Sequence, residues 1–317
     1  MNTNMLSRVA DGMYWLNRYM ERTDGILLTL HTFYILSFDK ELNDSQGYRP
    51  LLEYYTDLPK NQIIESQYDS NFVLKYIISD NHNVDSVKNL VRKARENARG
   101  SQDKITKELW EHINSLYHYT NSPDLPRRLE TNEAVSIITK LKNDFLLYNG
   151  ILHVTMPRGL GWCFSSIGKN IERCLQTIAM TQAYYKPINY NLDGDEDLLY
   201  WRRLLLSLSG YEQYLKSYSN ISHNRKIAQH IIFNKDFSHS VIYTLDLIDK
   251  YLANLSVEHT SHEARTLQNQ FGRLKSMVQY TDYYNLTNQQ LEAVLNDTQE
   301  QLNQFSADFS KLFFSYT

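Results

Sequence analysis

An all-α fold is what this sequence predicts, on three observations. Helix breakers are scarce, with 11 Gly and 6 Pro in 317 residues and no proline from Ile188 onward, so the elements should be long. Apolar residues recur at helical spacing in several separate stretches. Runs of alternating polar and apolar residues, the mark of a half-buried strand, are few and short.

Taken in order, Met13, Leu16, Met20 and Leu27 fall on one stripe and predict the first helix. Proline and glycine gather at Pro50–Pro59, Pro123–Pro126 and Gly150–Gly161, where breaks are expected. Between them, Val87, Leu90, Val91, Ala94 and Ala98 share one helical side, and the two small alanines admit a close neighbour. The spacing Ile105–Leu109–Ile113 predicts a further helix, with Trp110 in the core and Glu108 and Glu111 turned away or paired with arginines. Phe164, Ile167, Ile171 and Ile178 form a second long stripe. Leu204, Leu208, Tyr211 and Leu215 form another, and the pattern returns from Thr287 to the C-terminus.

Composition bounds the function. Hydrophobic residues make up 42% and charged residues 22%, an ordinary globular balance. Lys+Arg 33 against Asp+Glu 36 gives a net charge of −3, so no global positive field recruits nucleic acid or anionic lipid. The 24 tyrosines are spread along the chain and form no stacking platform. Cys163 and Cys174 make neither a disulfide framework nor a four-ligand zinc site. No signal-peptide pattern opens the chain, and the apolar stretch Gly25–Phe38 is too short to span a bilayer. A reduced, cytoplasmic setting without a membrane partner is the expectation.

Two helical stretches carry the same dipeptide at the same point: NRYMERTDGIL (Asn17–Leu27) and GKNIERCLQTI (Gly168–Ile178). Glu21-Arg22 and Glu172-Arg173 are offset by 172 − 21 = 151 residues, close to half the chain. In that register Met13 matches Phe164, Leu16 matches Ile167, Arg18 matches Lys169 and Met20 matches Ile171. Two tandem helical halves, about 5–150 and 158–317, are therefore expected. On a helical wheel both dipeptides lie off the apolar stripe. They form either a solvated face or an inward polar network that must pair or bind something.

The densest charge lies in VRKARENARGSQDKITKELWEHINSLY (Val91–Tyr117), where Arg92, Arg95, Glu96, Arg99 and Asp103 fall within about 100° of arc. Such arginines could present their forks to a carboxylate or phosphate, or form surface ion pairs. The acidic DGDED, Asp193–Asp197, lacks the glycine and distal glutamate of a calcium loop and reads as a solvated loop capping a helix from Leu198. No Glu-x-x-His occurs, and Glu258, His259, His262 and Glu263 do not match His-Glu-x-x-His. Phosphate loops, dinucleotide fingerprints and nucleophile elbows are missing too. No catalytic residue, metal ligand or cofactor is assigned. Cys163 and Cys174 sit on or near the apolar stripe and read as small core residues.

Together these residues resemble the alpha-E family, bacterial all-helical proteins named for a Glu-Arg motif. The resemblance runs through MLSRVADGMYWLNRYMERTD (Met5–Asp24), ARENAR (Ala94–Arg99), ELWEHIN (Glu108–Asn114), GWCFSSIGKNIER (Gly161–Arg173) and FNKDFSHSV (Phe233–Val241). It implies a single domain over 5–317 after a short extension, 1–4. The chain departs from the pattern at Lys169, where arginine is usual, at Cys174, and at Ser238-His239, where Pro-Arg is usual. Members resemble this chain in lacking an evident catalytic motif, and they are typically encoded beside circularly permuted ATP-grasp and transglutaminase-like proteins. That implies service in a peptide-ligating or peptide-processing system.

The first expectation is therefore a non-catalytic partner of an ATP-grasp-type peptide ligase, in a system that also includes a transglutaminase-like protein. Arg92, Arg95 and Arg99 would contact anions, and Glu21-Arg22 and Glu172-Arg173 would organise a polar seam. The alternatives are an amide- or peptide-acting enzyme using Glu21 or Glu96, and a purely structural interaction module.

Overall fold

The computed structural model describes residues 7–38, 47–218, 222–258 and 261–314, and among them it is all-α, with no strand. The proposed extension 1–4 and His259 lie outside the described residues. The helices are α1 (Ser7–Leu36), α2 (Arg49–Tyr55), α3 (Lys60–Ser66), α4 (Ser70–Ile78), α5 (Val87–Gly100), α6 (Lys107–Thr120), α7 (Leu125–Arg128) and α8 (Ala134–Thr155). There follow α9 (Leu160–Tyr185), α10 (Leu198–Ser207), α11 (Tyr211–Ser217), α12 (His223–Ala228), α13 (Val241–Glu258), α14 (His262–Gln279) and α15 (Asn288–Phe314). A 3₁₀ turn, Lys186–Ile188, follows α9, and a π turn, Gln229–Phe233, follows α12. No described helix is long and apolar enough to cross a membrane.

Local chemistry sets the starts. Ser86, Thr106 and Ser261 accept the backbone N–H groups of Asn89, Leu109 and Ala264 and so cap α5, α6 and α14. At α15 the cap is reciprocal: Thr287 Oγ1 accepts from Gln290 N at 3.3 Å, and Gln290 Oε1 accepts from Thr287 N at 2.9 Å. Asp197, at the end of DGDED, caps α10 through Tyr200 N, as its position before Leu198 predicts.

The chain divides into two compact units, residues 15–157 and residues 1–14 with 158–317. In the first, Leu16, Met20 and Leu27 of α1 are buried, α5 packs on α6, and α6 packs on α8. Val87, Leu90, Val91, Ala94 and Ala98 all sit in its core. In the second, α9 lies along α13, α13 packs on α14, and α15 packs on α9 and α14. Tyr14 stacks on Phe309 at 5.5 Å and hydrogen-bonds with Ser306 at 2.8 Å. Trp201 and Tyr185 both close on Asn224, the indole N–H donating to its side-chain oxygen and the phenol to its backbone carbonyl.

Three local expectations are corrected. Gly150 does not end a helix; it sits exposed inside α8, where a side chain would meet nothing within 4 Å, and the break falls after Thr155. A glycine there costs the helix about 1 kcal/mol, less than the packing of Phe145, Tyr148 and Leu152 supplies. The stripe Leu204–Leu215 does not continue, because Ser209, at φ 55°, and Gly210 reset the helical register. Leu208 is buried, but Leu215 is exposed and Tyr214 takes the inward position of α11. Trp110 is half-buried rather than core, because its ring faces the Arg95 guanidinium; Leu109 and Ile113 are buried, and Glu108 and Glu111 are exposed as expected.

Candidate functional site

The two Glu-Arg dipeptides share one arrangement, a buried glutamate followed by a half-buried arginine. Glu21 is 4% exposed and Glu172 is 2% exposed. Each arginine reaches a loop that leads into another helix, and Arg22 also meets a ring of α2. Arg22 Nη2 donates to Asp85 Oδ2 at 2.6 Å, and its guanidinium lies 5.8 Å from the Tyr54 ring centroid. Arg173 Nη1 donates to the Ser238 carbonyl at 3.4 Å.

Around Glu21, Tyr148 Oη donates to Asn17 Oδ1 at 3.0 Å, and both residues are buried. Burial, and then the negative charge of Glu21, push the Tyr148 phenol above its ordinary range, so it stays protonated. Asn17 stands four residues before Glu21 on the same side of α1, which places the pair opposite α8.

Around Glu172, burial holds His239 well below the usual imidazole range, with the cations Arg173 and Lys169 adding to the effect. His239 is therefore neutral at pH 7. Its backbone carbonyl accepts from Thr177 Oγ1 at 2.8 Å, which ties the turn before α13 to α9. Cys163 and Cys174 are buried thiols outside any disulfide, and burial pushes Cys174 up to about 12, far from thiolate reactivity.

The arginine helix does not present its three forks together. Arg95 Nε donates to Asn114 Oδ1 at 2.6 Å, and its guanidinium lies 4.5 Å from the Tyr117 centroid and 5.7 Å from the Trp110 centroid. It serves the packing of α5 on α6. Glu96 is exposed and bridges Arg95 at 3.3 Å and Arg99 at 3.8 Å, while Arg92 is exposed and donates to Asn89 Oδ1 at 3.3 Å. In the acidic loop, Asp193 pairs with Arg225 and Glu196 accepts from Asn224. Among the described residues no three His, Cys, Asp or Glu groups are placed to hold a metal ion.

Asp85, Tyr54, Tyr148 and Asn114 escape a reading of the sequence, since each lies in another element from the side chain it serves. Asn17 was within reach, through its four-residue spacing to Glu21.

A family model, Alpha-E, described as a predicted alpha-helical domain with a conserved ER motif, matches residues 5–314. No curated protein and no solved structure matches the chain. The match covers nearly the whole sequence, and the chain belongs to the Alpha-E family.

Proposed function

We propose that this Alpha-E protein is a non-catalytic helical partner of an ATP-grasp-type peptide ligase, holding a peptide or phosphorylated intermediate beside the ligase. The observation that carries the reading is the anchored, half-exposed arginine of each dipeptide. A guanidinium fixed by Asp85, or by the Ser238 carbonyl, has its geometry set before any anion arrives. Preorganised forks of this kind recognise carboxylate and phosphate groups without chemistry of their own. The shifted groups nearby point the same way. Tyr148 is held protonated, His239 neutral and Cys174 as a thiol, three states that stay unchanged at pH 7. Arg92 and Arg99, exposed on α5, supply further cationic contacts, and a transglutaminase-like protein acts in the same system.

The amide-acting alternative has its better acid–base candidate in Glu21, which is buried against Tyr148, whereas Glu96 is exposed. Co-purification separates the readings. Mixed with an ATP-grasp-type peptide ligase from the same source, the wild-type chain should elute as a complex, and Arg22→Gln should weaken that complex by about tenfold. Failure of the wild type to form any complex contradicts the partner reading.

A further inference from the structure

The outer side of α5 carries charge of one sign. In Val87–Gly100 the ionisable residues are Lys88, Arg92, Lys93, Arg95, Glu96 and Arg99, so Glu96 is the one carboxylate. Lys88, Arg92, Arg95 and Arg99 follow at spacings of four, three and four residues, within about 60° of arc on a helical wheel. Arg92 and Arg99 are exposed, and Lys88 and Arg95 are half-buried. The Arg95 fork is taken up by Asn114 and Glu96, and Glu96 lies 3.8 Å from Arg99. Arg92 donates to Asn89 Oδ1 at 3.3 Å, and among the described residues neither Arg92 nor Lys88 has a carboxylate partner. Glu111 of the neighbouring α6 pairs with Lys107 instead, at 3.7 Å. Other surface cations differ: Arg49, Arg128 and Lys140 each hold a carboxylate at 2.6–2.7 Å. Like charges four apart on a helix repel, so placing Lys88 one turn before Arg92 costs α5 stability and does not serve the fold.

We propose that this side of α5 docks an acidic α-helix of a partner protein, with carboxylates at the same spacing of four, three and four residues. Charge selects the acidic occupant, because Lys88, Arg92 and Arg99 stand against Glu96 alone. Spacing selects the helix. Along the axis of α5, Lys88, Arg92 and Arg99 stand at about 0, 6 and 16.5 Å. A second helix laid alongside repeats those steps, and the spacing reads the same in both directions. In an extended chain alternate side chains recur about every 6.6 Å, so its nearest carboxylate misses Arg99 by about 3 Å. Single-stranded nucleic acid is the poorer fit. It needs open rings to stack on, and the rings beside the stripe, Trp110 and Tyr117, meet the Arg95 guanidinium. The stripe carries no apolar side chain, so docking rests on charge and weakens as salt rises. The inference concerns a surface other than the Glu-Arg dipeptides and does not need the ligase reading.

The test is fluorescence-anisotropy titration of the full chain into two labelled alanine-based peptides and a labelled oligothymidylate. One peptide carries glutamates at spacings of four, three and four, and the other carries as many glutamates at alternate positions. The helix-spaced peptide should bind at low salt about fivefold tighter than the alternating one, and should release as salt rises. Lys88→Gln and Arg92→Gln should each weaken its binding about threefold. The urea midpoint of Lys88→Gln should stay equal or rise, because the lysine gives the fold no ion pair. No binding of the helix-spaced peptide, equal affinity for the alternating one, or tighter binding of oligothymidylate overturns the inference. Unchanged affinity in the folded variants overturns it too, and a lower urea midpoint in Lys88→Gln would show that the lysine serves the fold instead.

Discussion

Set side by side, the two Glu-Arg helices solve one task with different partners. In α1 the arginine crosses 63 residues of sequence to Asp85, and in α9 it crosses 65 to Ser238. Both targets stand just before a serine-capped helix that begins with valine. Ser86 caps α5 through Asn89 N, and Ser240 caps α13 through Tyr243 N. The preceding residue is Asp85 in the first and His239 in the second, so a carboxylate has given way to an imidazole. With its loop the first arginine makes an ion pair, and the second makes a longer bond to a backbone carbonyl beside a neutral histidine. The comparison teaches that the shared dipeptide fixes where an arginine reaches, while the loop it meets decides how firmly it is held.

Acid should expose the difference most strongly. His239 is held well below 6.5, and His230, buried in the π turn, is held at about 4. For a histidine with a lowered folded value, the unfolded chain binds the proton first. Stability is therefore complete above about pH 6.5 and is lost as pH falls from there toward the folded value. His230 alone should cost the C-terminal unit about 3 kcal/mol between pH 6.5 and 4. His31 in the other unit is shifted the same way, by burial first and then by Lys142, while still half-buried. Urea unfolding at pH 7 and pH 5, followed through Trp162 and Trp201 against Trp15 and Trp110, should show the earlier loss at the first pair. Equal losses would erase the contrast.

Next come the arginines themselves. Arg22→Leu strands Asp85, whose side chain is 24% exposed, and should cost about 2 kcal/mol in denaturant unfolding. The 3.4 Å bond from Arg173 to the Ser238 carbonyl, lost in Arg173→Leu, should by itself be worth about 1 kcal/mol or less. The reverse order would mean that the carbonyl clasp is the stronger one.

A smaller effect sharpens the point from the other side. His239→Asp places a carboxylate beside Arg173 and Lys169, imitating the first loop, and should change stability by less than about 1 kcal/mol at pH 7, read from the urea midpoint, because the burial that keeps His239 neutral opposes the new ion pairs. A larger loss would show that the neutral ring is needed for packing.

The smallest effects belong to the arginine helix. Arg95→Ala should cost about 1 kcal/mol through Asn114 and the two rings. Arg99, 68% exposed and 3.8 Å from Glu96, should cost less than about 0.5 kcal/mol on replacement by alanine.

Much of this was legible in the chain. The stripes of α1, α5, α6 and α9 appear as helical spacing, and the buried side of each matches the apolar residues read from it. The position of Arg22 on α1 was legible, but its partner was not. Asp85 lies in a short loop whose path depends on how α4 and α5 pack, which no local pattern encodes. Trp110 shows the limit in another way. Its helical phase allows a core position, yet the Arg95 side chain across the helix pair keeps its ring at the edge. Gly150 and Ser209 misled in opposite senses, since an exposed glycine is tolerated inside α8 while a serine at positive φ breaks the helix after α10.

The account stands most directly on ligase turnover. ATP consumption by the proposed partner, an ATP-grasp-type peptide ligase, should be measured with no addition, with the wild-type chain, and with Arg22→Gln. The chain alone should consume no ATP and cleave no amide, the wild type should raise turnover by the ligase, and Arg22→Gln should lose most of that gain. Turnover unchanged by the wild-type chain, or amide cleavage by the chain alone that Glu21→Gln abolishes, would contradict it.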